Sequence, residues 1–259
     1  MYAFDIERPA TIADAAKALV GEAQALSGGQ TLIPTLKSRL ASPDKLISLS
    51  GIDEMKGIRL EGRELWIGGA TIHADVAADG SYKALSELAS NIGDPAVRSR
   101  GTIGGSIANN DPAACYPAAA LGSGATIVTN TREIAADDFF LGMFETALNE
   151  GEIVTAVKFP IPEKANYQKF VQPASRFSLV GVFVSKSADG VRVAITGASN
   201  EGAHRWTAAE EALSANFSAS ALDNLTVSAD DLVSDLHGSP EYRAHLIKVM
   251  TGRAVTAAS

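Results

Sequence analysis

The sequence predicts a mixed α/β (α+β) fold built from more than one unit, and three observations carry that expectation. The first fifty residues alternate strand and helix patterns, as layered α/β structures do. From about residue 58 the texture changes to hairpins separated by helical stretches. The chain has 259 residues, enough for one to two domains of ~150 residues each, and 46% of them are hydrophobic against 20% charged, which suits a sizeable core.

The elements follow in order. Residues 4–8 read as a short strand. Thr11 then caps a helix whose apolar positions Ile12, Ala15, Ala16, Leu19 and Val20 fall on one face, and Gly21 ends it. A second strand runs through Ala25 and Leu26 into "SGGQT". A second helix carries Leu32, Leu36 and Leu40 four apart, and a third strand covers residues 46–49. "GIRLEGRELWIGGAT" reads as a hairpin around Glu61–Gly62. Helix is expected near 82–92 and strands near 125–130 and 152–160. "FPIP", with Pro160 and Pro162, marks a boundary. "LVGVFVSKSADGVRVAITG" is a hairpin turning at Asp189–Gly190. Two helices follow: Thr207 and Glu210 form a capping box for the first, and Ser239 and Pro240 are N-cap and N1 of the last.

Composition excludes several function classes. Lys and Arg total 22 against 30 Asp and Glu, a net charge of −8, and no basic patch offsets it, so neither nucleic acid nor an anionic membrane is the expected partner. A single cysteine, Cys115, makes no internal disulfide and holds no iron–sulfur cluster alone. His73, His204, His237 and His245 lack metal-ligand spacing, so no metal site is expected. The opening "MYAFDIERPA" has acidic residues where a signal peptide needs basic and apolar ones. Residues 112–131 carry no formal charge, yet two prolines and two glycines interrupt them, so a buried small-residue segment is expected rather than a membrane helix. The expected location is cytoplasmic.

Two segments share a shape, "LSGGQT" at 26–31 and "TIGGSI" at 102–107. In each, paired glycines follow an extended approach and hydroxyls flank them. A diphosphate needs several N–H donors converging on its oxygens with no β-carbon in the way, and glycine pairs meet that need. Ser27, Thr31, Thr102 and Ser106 add hydroxyls, and the helix after Thr31 would aim its N-terminus at the anion. An acidic protein could bind phosphate in this way with few lysines. Taken singly, "LSGGQT" also fits a plain strand-to-helix turn, and residues 102–107 a bulge or close chain crossing. Neither segment fits G-x-x-x-x-G-K-[ST] or G-x-G-x-x-G.

"LSGGQTLIPTLKSRL" together with "RGTIGGSIANNDPAACYPAAALGSGATI" resembles the FAD-binding medium subunit of the molybdenum hydroxylases. That family takes in the carbon monoxide dehydrogenase medium subunit and the flavin domain of xanthine dehydrogenase. The resemblance runs nearly end to end, through "RPATIADAAKAL", "IGGATIHADVA" and "SDLHGSPEYRAHLIKVMTGRAV". It implies a vanillyl-alcohol-oxidase-type (PCMH-type) FAD-binding domain over residues 1–163, with subdomains of about 1–57 and 58–163, followed by a smaller C-terminal α/β domain over 164–259. It also implies FAD held by its diphosphate between the two turns. By position, Ser27, Gly28, Gly29, Gln30, Thr31 and Leu32 form the first turn and its helix start. Thr102, Ile103, Gly104, Gly105 and Ser106 form the second. Val154 matches an apolar position at the adenine or flavin end, and Phe177 a position near the isoalloxazine. The chain departs from the family pattern at Ser106, where relatives often have asparagine or aspartate, at Cys115, where many have a carboxylate, and at Val171, where some have a flavin-side lysine.

The chain shows no acid–base constellation, Ser/His/Asp set or metal triad, so no catalytic residue is expected in it. The resemblance implies division of labour in a heterotrimer. A large molybdopterin subunit oxidises the substrate, a small subunit with 2Fe–2S clusters passes electrons on, and FAD in this chain hands them to a quinone, NAD or another acceptor. The alternative is a flavin-free scaffold subunit, which two intact glycine turns oppose. "VRVAITGASNEG" imitates the glycine turn of short-chain dehydrogenases, but that turn belongs after the first strand of a Rossmann unit with Tyr-x-x-x-Lys downstream, and Tyr242 is followed at that spacing by Leu246.

Overall fold

The computed structural model describes residues 1–258. Its first unit is a three-stranded parallel sheet made from β1 (Asp5–Glu7), α1 (Ile12–Ala18), β2 (Ala23–Leu26), α2 (Leu32–Lys37) and β3 (Lys45–Ser48), in the spatial order β1-β3-β2. Parallel strands need crossovers, and the two helices supply them. Thr11 caps α1 as expected, its side chain accepting from the Asp14 N–H at 3.1 Å. Both helices are shorter than their apolar stripes predict. Helix α1 stops at Ala18, and Val20 is exposed beside the left-handed Gly21. Helix α2 stops at Lys37 because Arg39 turns left-handed (φ +58°), leaving Leu40 in solvent. Only Leu36 of the three spaced leucines is fully buried, so nothing holds the helix beyond it.

The second unit is a five-stranded antiparallel sheet of order β4-β5-β10-β6-β7, with helices packed on it. The strands are β4 (Ile58–Glu61), β5 (Glu64–Gly68), β6 (Thr126–Thr129), β7 (Glu133–Ala135) and β10 (Val154–Pro160). Residues Glu61 and Glu64 pair across Gly62–Arg63, which places the expected hairpin. The helices are α3 (His73–Asp79), α4 (Lys83–Ser90), α5 (Pro95–Arg98), α6 (Ile103–Asn109), α7 (Cys115–Ser123) and the short α8 (Ala136–Phe139). A ribbon of β8 (Phe140–Gly142) and β9 (Glu145–Thr146) closes this unit. Every residue of α7 is buried, which explains the uncharged, alanine-rich composition of its segment. Among the described residues no helix is long and apolar enough to cross a membrane. In the segment 102–107 the approach is extended at Thr102, which is the N-cap of α6, and Gly104 and Gly105 lie in the first turn of that helix.

The third unit is a four-stranded antiparallel sheet, β11 (Lys164–Val171), β12 (Ser178–Ser187), β13 (Gly190–Thr196) and β14 (His204–Arg205), carrying α9 (Thr207–Ala215) and α10 (Pro240–Ala257). Leu179, Val180, Val182, Val184, Val193 and Ile195 meet Leu213, Ile247 and Met250 of the helices. Alternate residues of the same sheet, Tyr167, Phe183 and Ala194, join the core of the second unit. Strand β12 is therefore apolar on both faces. Ser239 caps α10 as expected, accepting from the Tyr242 N–H. The expected Thr207–Glu210 capping box does not form. Trp206 is the N-cap of α9, and Glu210 instead accepts from the Val193 N–H at 2.9 Å and pairs with Arg205. A buried carboxylate gains more from a guanidinium and a strand amide than from one helix-end amide.

Helix α7 joins the second and third units. Gly122 lies against Phe183, where a β-carbon would stand 2.7 Å from the ring. Ser185 Oγ donates to the Gly122 carbonyl at 2.6 Å and Arg192 Nε to the Leu121 carbonyl at 2.7 Å, satisfying carbonyls at the end of the helix. Thr196 Oγ1 lies within hydrogen-bond distance of the Pro112 and Ala114 carbonyls at 2.9 and 2.7 Å, and the Gly197 N–H reaches Pro112 at 2.8 Å. The "TGAS" turn is thus a chain crossing onto the loop before α7.

Candidate functional site

A cleft of about 610 Å³ runs between the first two units and is closed on one side by the β11–β12 loop. Both glycine turns line it. They meet directly: Ser27 Oγ and Thr102 Oγ1 share a hydrogen bond of 2.7 Å, and Thr102 Oγ1 also accepts from the Gly105 N–H at 3.2 Å. A β-carbon at Gly28 would stand 2.1 Å from the Arg100 carbonyl oxygen, so a side chain there would drive the turns apart. Gly29 has φ +70°, the left-handed conformation that turns the chain from β2 toward α2.

The two turns have different electrostatic roles. In the first, the N–H groups of Gly28, Gly29, Gln30, Thr31 and Leu32 find no acceptor among the described residues, and all five residues line the cleft. Five successive free donors in a bent backbone form a concave anion receptor. Helix α2 has six residues, so these free N–H groups rather than a long aligned dipole are what the turn offers. In the second turn every donor from Ile103 to Ser106 is already taken, and only the Thr102 N–H has no acceptor among the described residues. Ile103 N–H goes to the Thr71 carbonyl at 3.1 Å, Gly104 to Gly69 at 2.9 Å, Gly105 to the Thr102 hydroxyl and Ser106 to the Thr102 carbonyl at 3.0 Å. The expectation that both glycine pairs offer backbone donors is corrected here. A β-carbon at Gly104 would lie 2.6 Å from the Gly69 oxygen, so this pair serves close approach of two chains.

The other sequence-predicted residues divide likewise. Ser106, Cys115, Val154 and Phe177 line the cleft, whereas Ile103 is fully buried in the core beneath it. Cys115 opens α7 with its Sγ 3.6 Å from Ser178 Oγ, which in turn shares a 3.1 Å hydrogen bond with Tyr167. Val154 begins β10 and is buried, while Phe177 is half exposed at the end of the β11–β12 loop. Val171 lies outside the cleft wall, but Lys169, two residues earlier on the strand, is part of it, with its Nζ donating to the Asn91 carbonyl at 2.9 Å.

Sequence reasoning passed over Lys169, His73, Asp111 and Glu152. No strand is expected from the sequence over residues 164–171, so nothing singled out Lys169. Burial raises the Asp111 carboxyl pKa, partly offset by its bond from the Ala113 N–H. Glu152 is held down to about 2, first by hydrogen bonds from Arg132, helped by the Asn149 N–H and the hydroxyls of Thr129 and Thr131 and opposed by burial. Burial lowers His73 to about 4, and Arg98 adds to the effect, so its imidazole is neutral at neutral pH. Among the described residues no group of His, Cys, Asp or Glu could hold a metal ion.

These features fit a dinucleotide cofactor with a diphosphate: a long cleft, free amide donors at one turn, small residues where two chains cross, and apolar walls. Comparison with known proteins agrees. The family described as FAD binding domain in molybdopterin dehydrogenase matches residues 2–162. The carbon monoxide dehydrogenase medium chain of Afipia carboxidovorans is 33% identical over 274 residues, covering 97% of this chain and 95% of that one. The glyceraldehyde dehydrogenase medium chain of Sulfolobus acidocaldarius is 29% identical, covering 97% and 96%. Among solved structures, the cyanide-inactivated Cu,Mo-CO dehydrogenase superposes with a TM-score of 0.88 at 31% identity, covering 98% of this chain and 96% of that one. Quinoline 2-oxidoreductase from Pseudomonas putida 86 superposes with a TM-score of 0.87 at 27% identity, again covering 98% and 96%. The chain therefore belongs to the FAD-binding subunits of molybdenum-hydroxylase-type dehydrogenases, an oxidoreductase subunit whose cofactor is FAD.

Proposed function

We propose that this chain is the electron-outlet subunit of a three-subunit molybdenum hydroxylase. A large molybdopterin subunit oxidises the substrate, a small subunit carries the electrons over its 2Fe–2S clusters, and this chain delivers them to a soluble or quinone-type acceptor. The observation that carries the reading is the run of five N–H groups, Gly28 to Leu32, that find no acceptor among the described residues and line the cleft. Bound FAD supplies a carrier that takes up and releases electrons singly or in pairs.

The chain's own residues bind and orient. Gly28–Leu32 amides receive the diphosphate, and the Ser27–Thr102 pair fixes the distance between the turns. Gly104 brings α6 close to Gly69 and Gly105 leaves room for the Ser27–Thr102 pair, while Ser106 adds a hydroxyl on the cleft side. Val154 and Cys115 form apolar wall, and Phe177 shields the mouth. Ile103 acts from below by anchoring α6 in the core. That relatives bear the names medium chain or medium subunit supports further subunits for this one. The change of sheet between Pro160 and Lys164 supports a domain boundary near 163/164, with residues 1–57 and 58–163 as subdomains. The electron acceptor, a quinone, NAD or another acceptor, and a cytoplasmic location belong to the same proposal.

The test is the absorption spectrum of the protein purified from its native host. One FAD per chain, together with co-purifying iron–sulfur and molybdenum subunits, is the expected result. A flavin-free chain in an otherwise complete complex would instead establish a scaffold role.

A further inference from the structure

Four buried side-chain atoms among the described residues have no hydrogen-bond partner: His73 Nδ1, Asn110 Oδ1, Tyr116 OH and Arg243 Nε. Two of them belong to rings in contact. The His73 and Tyr116 rings have centroids 5.3 Å apart and planes inclined by 51°. The phenol is a donor in need of an acceptor, and an imidazole nitrogen can accept. No direct bond joins them. One buried water between them would satisfy both, by taking the phenol proton and donating to Nδ1.

We infer that His73 is a further ligand contact of the cleft: a buried water shared with Tyr116 fixes its Nε2–H tautomer, and that N–H is presented beside Gly101 to a diphosphate oxygen of the cofactor. The placement of His73 supports the contact. His73 is 5% exposed and lines the cleft together with Gly101 and Thr102. Its backbone N–H donates to the Gly101 carbonyl at 2.9 Å, which ties the residue to the second turn. The ring occupies the space a Gly101 side chain would need, since a β-carbon there would be 2.6 Å from Nε2. With Nδ1 accepting from water, the single proton of a neutral imidazole sits on Nε2. Of the second turn's backbone donors only the Thr102 N–H is left without an acceptor among the described residues, and the imidazole adds a side-chain donor on this side of the cleft.

The inference rests on the reading that FAD occupies the cleft, and the test separates the two. In the full-length chain labelled with 15N-histidine, the His73 ring signals are identified by their loss in His73→Phe. At neutral pH the proton is expected on Nε2, and the Nε2–H signal is expected to shift when FAD is added. A proton on Nδ1, or an Nε2–H signal unmoved by bound FAD, overturns the assignment. By fluorescence titration, His73→Phe is expected to bind FAD roughly tenfold more weakly, and ADP weakened alike by calorimetry, as for one lost hydrogen bond. His73→Gln, whose amide N–H can reach the same point, is expected to stay within about threefold of the parent on the same scale. A Phe variant that binds FAD as tightly as the parent, or loses FAD affinity without losing ADP affinity, sinks the diphosphate contact. If the parent itself takes up no FAD, the functional reading falls, and with it the contact, whereas an unmoved signal or a tight Phe variant beside a flavin-binding parent removes only His73.

Discussion

A β-carbon at Gly28 would meet the Arg100 carbonyl oxygen at 2.1 Å, and one at Gly104 the Gly69 oxygen at 2.6 Å and its Cα at 2.8 Å. Both obstacles are backbone, which cannot swing aside as a side-chain end does. Gly28→Ala and Gly104→Ala are each expected to lower stability by about 1–3 kcal/mol through overpacking, or several degrees in thermal midpoint for a chain of this size. Gly51→Ala is the control: its β-carbon would find only the Pro9 oxygen, at 3.9 Å, and its midpoint should match the parent's. Equal midpoints for all three would show that the crossing relaxes freely. Cys115 is a different case. Its thiol touches a hydroxyl that Tyr167 also holds, so Cys115→Ala removes a weak contact and is expected to bind FAD within about threefold of the parent in a fluorescence titration. Loss of binding would make the thiol a direct ligand or a critical packing group.

At the scale of elements, one carboxylate ties the β6–β7 turn to the loop that leads from β9 into β10. Glu152 accepts from Arg132 Nε and Nη2 at 2.9 and 3.0 Å, from the Thr129 and Thr131 hydroxyls at 2.7 and 2.9 Å, and from the Asn149 N–H at 2.8 Å. This fixes the chain leading into Ile153 and Val154, which form cleft wall. Because the folded-state pKa is about 2, below the ordinary glutamate value, the ionised form stabilises the fold. That contribution is complete above the ordinary value near 4.5 and is lost as pH falls through about 2. Glu152→Gln is therefore expected to be less stable at pH 7 by about 2 kcal/mol in urea unfolding, with the gap to the parent narrowing steadily below pH ~4.5. A gap that does not change with pH would mean that shape rather than charge holds the loop.

At the scale of the molecule, α7 is the joint. Asp137, in α8, accepts from the Arg192 guanidinium with both oxygens, and Arg205 lies 3.5 Å from it. Arg192 also donates to the Leu121 carbonyl at the end of α7. Arg192→Ala removes the charged donor to that carbonyl, leaving it only the Gly124 N–H at 3.2 Å, and should lower stability by about 1–2 kcal/mol. Asp137→Asn is half exposed and should change it by less than about 1 kcal/mol. Limited proteolysis is expected to cut the Arg192→Ala chain faster near residues 110–115, where β13 holds the loop before α7. Equal sensitivity of both variants and the parent would show that the apolar contacts of Phe183 and Ala194 suffice.

Local pattern and composition determined much of this protein. The strand–helix alternation of residues 1–50, the Thr11 and Ser239 caps, the two hairpins and the buried character of 112–131 depend on neighbours within a few positions, and such interactions are written in sequence. So is the glycine-rich shape of both turns and, through resemblance, the FAD family. Tertiary structure alone decided what each turn does. Whether an N–H at Gly28 or Gly104 is free depends on an acceptor tens of residues away, Gly69 for one and none for the other. The same holds for Glu210, taken from its helix end by Arg205 and Val193, and for Leu40, left in solvent because no core reached it. Hydrogen-bond satisfaction and burial are properties of chains brought together in space, and no spacing along one segment encodes which partner arrives.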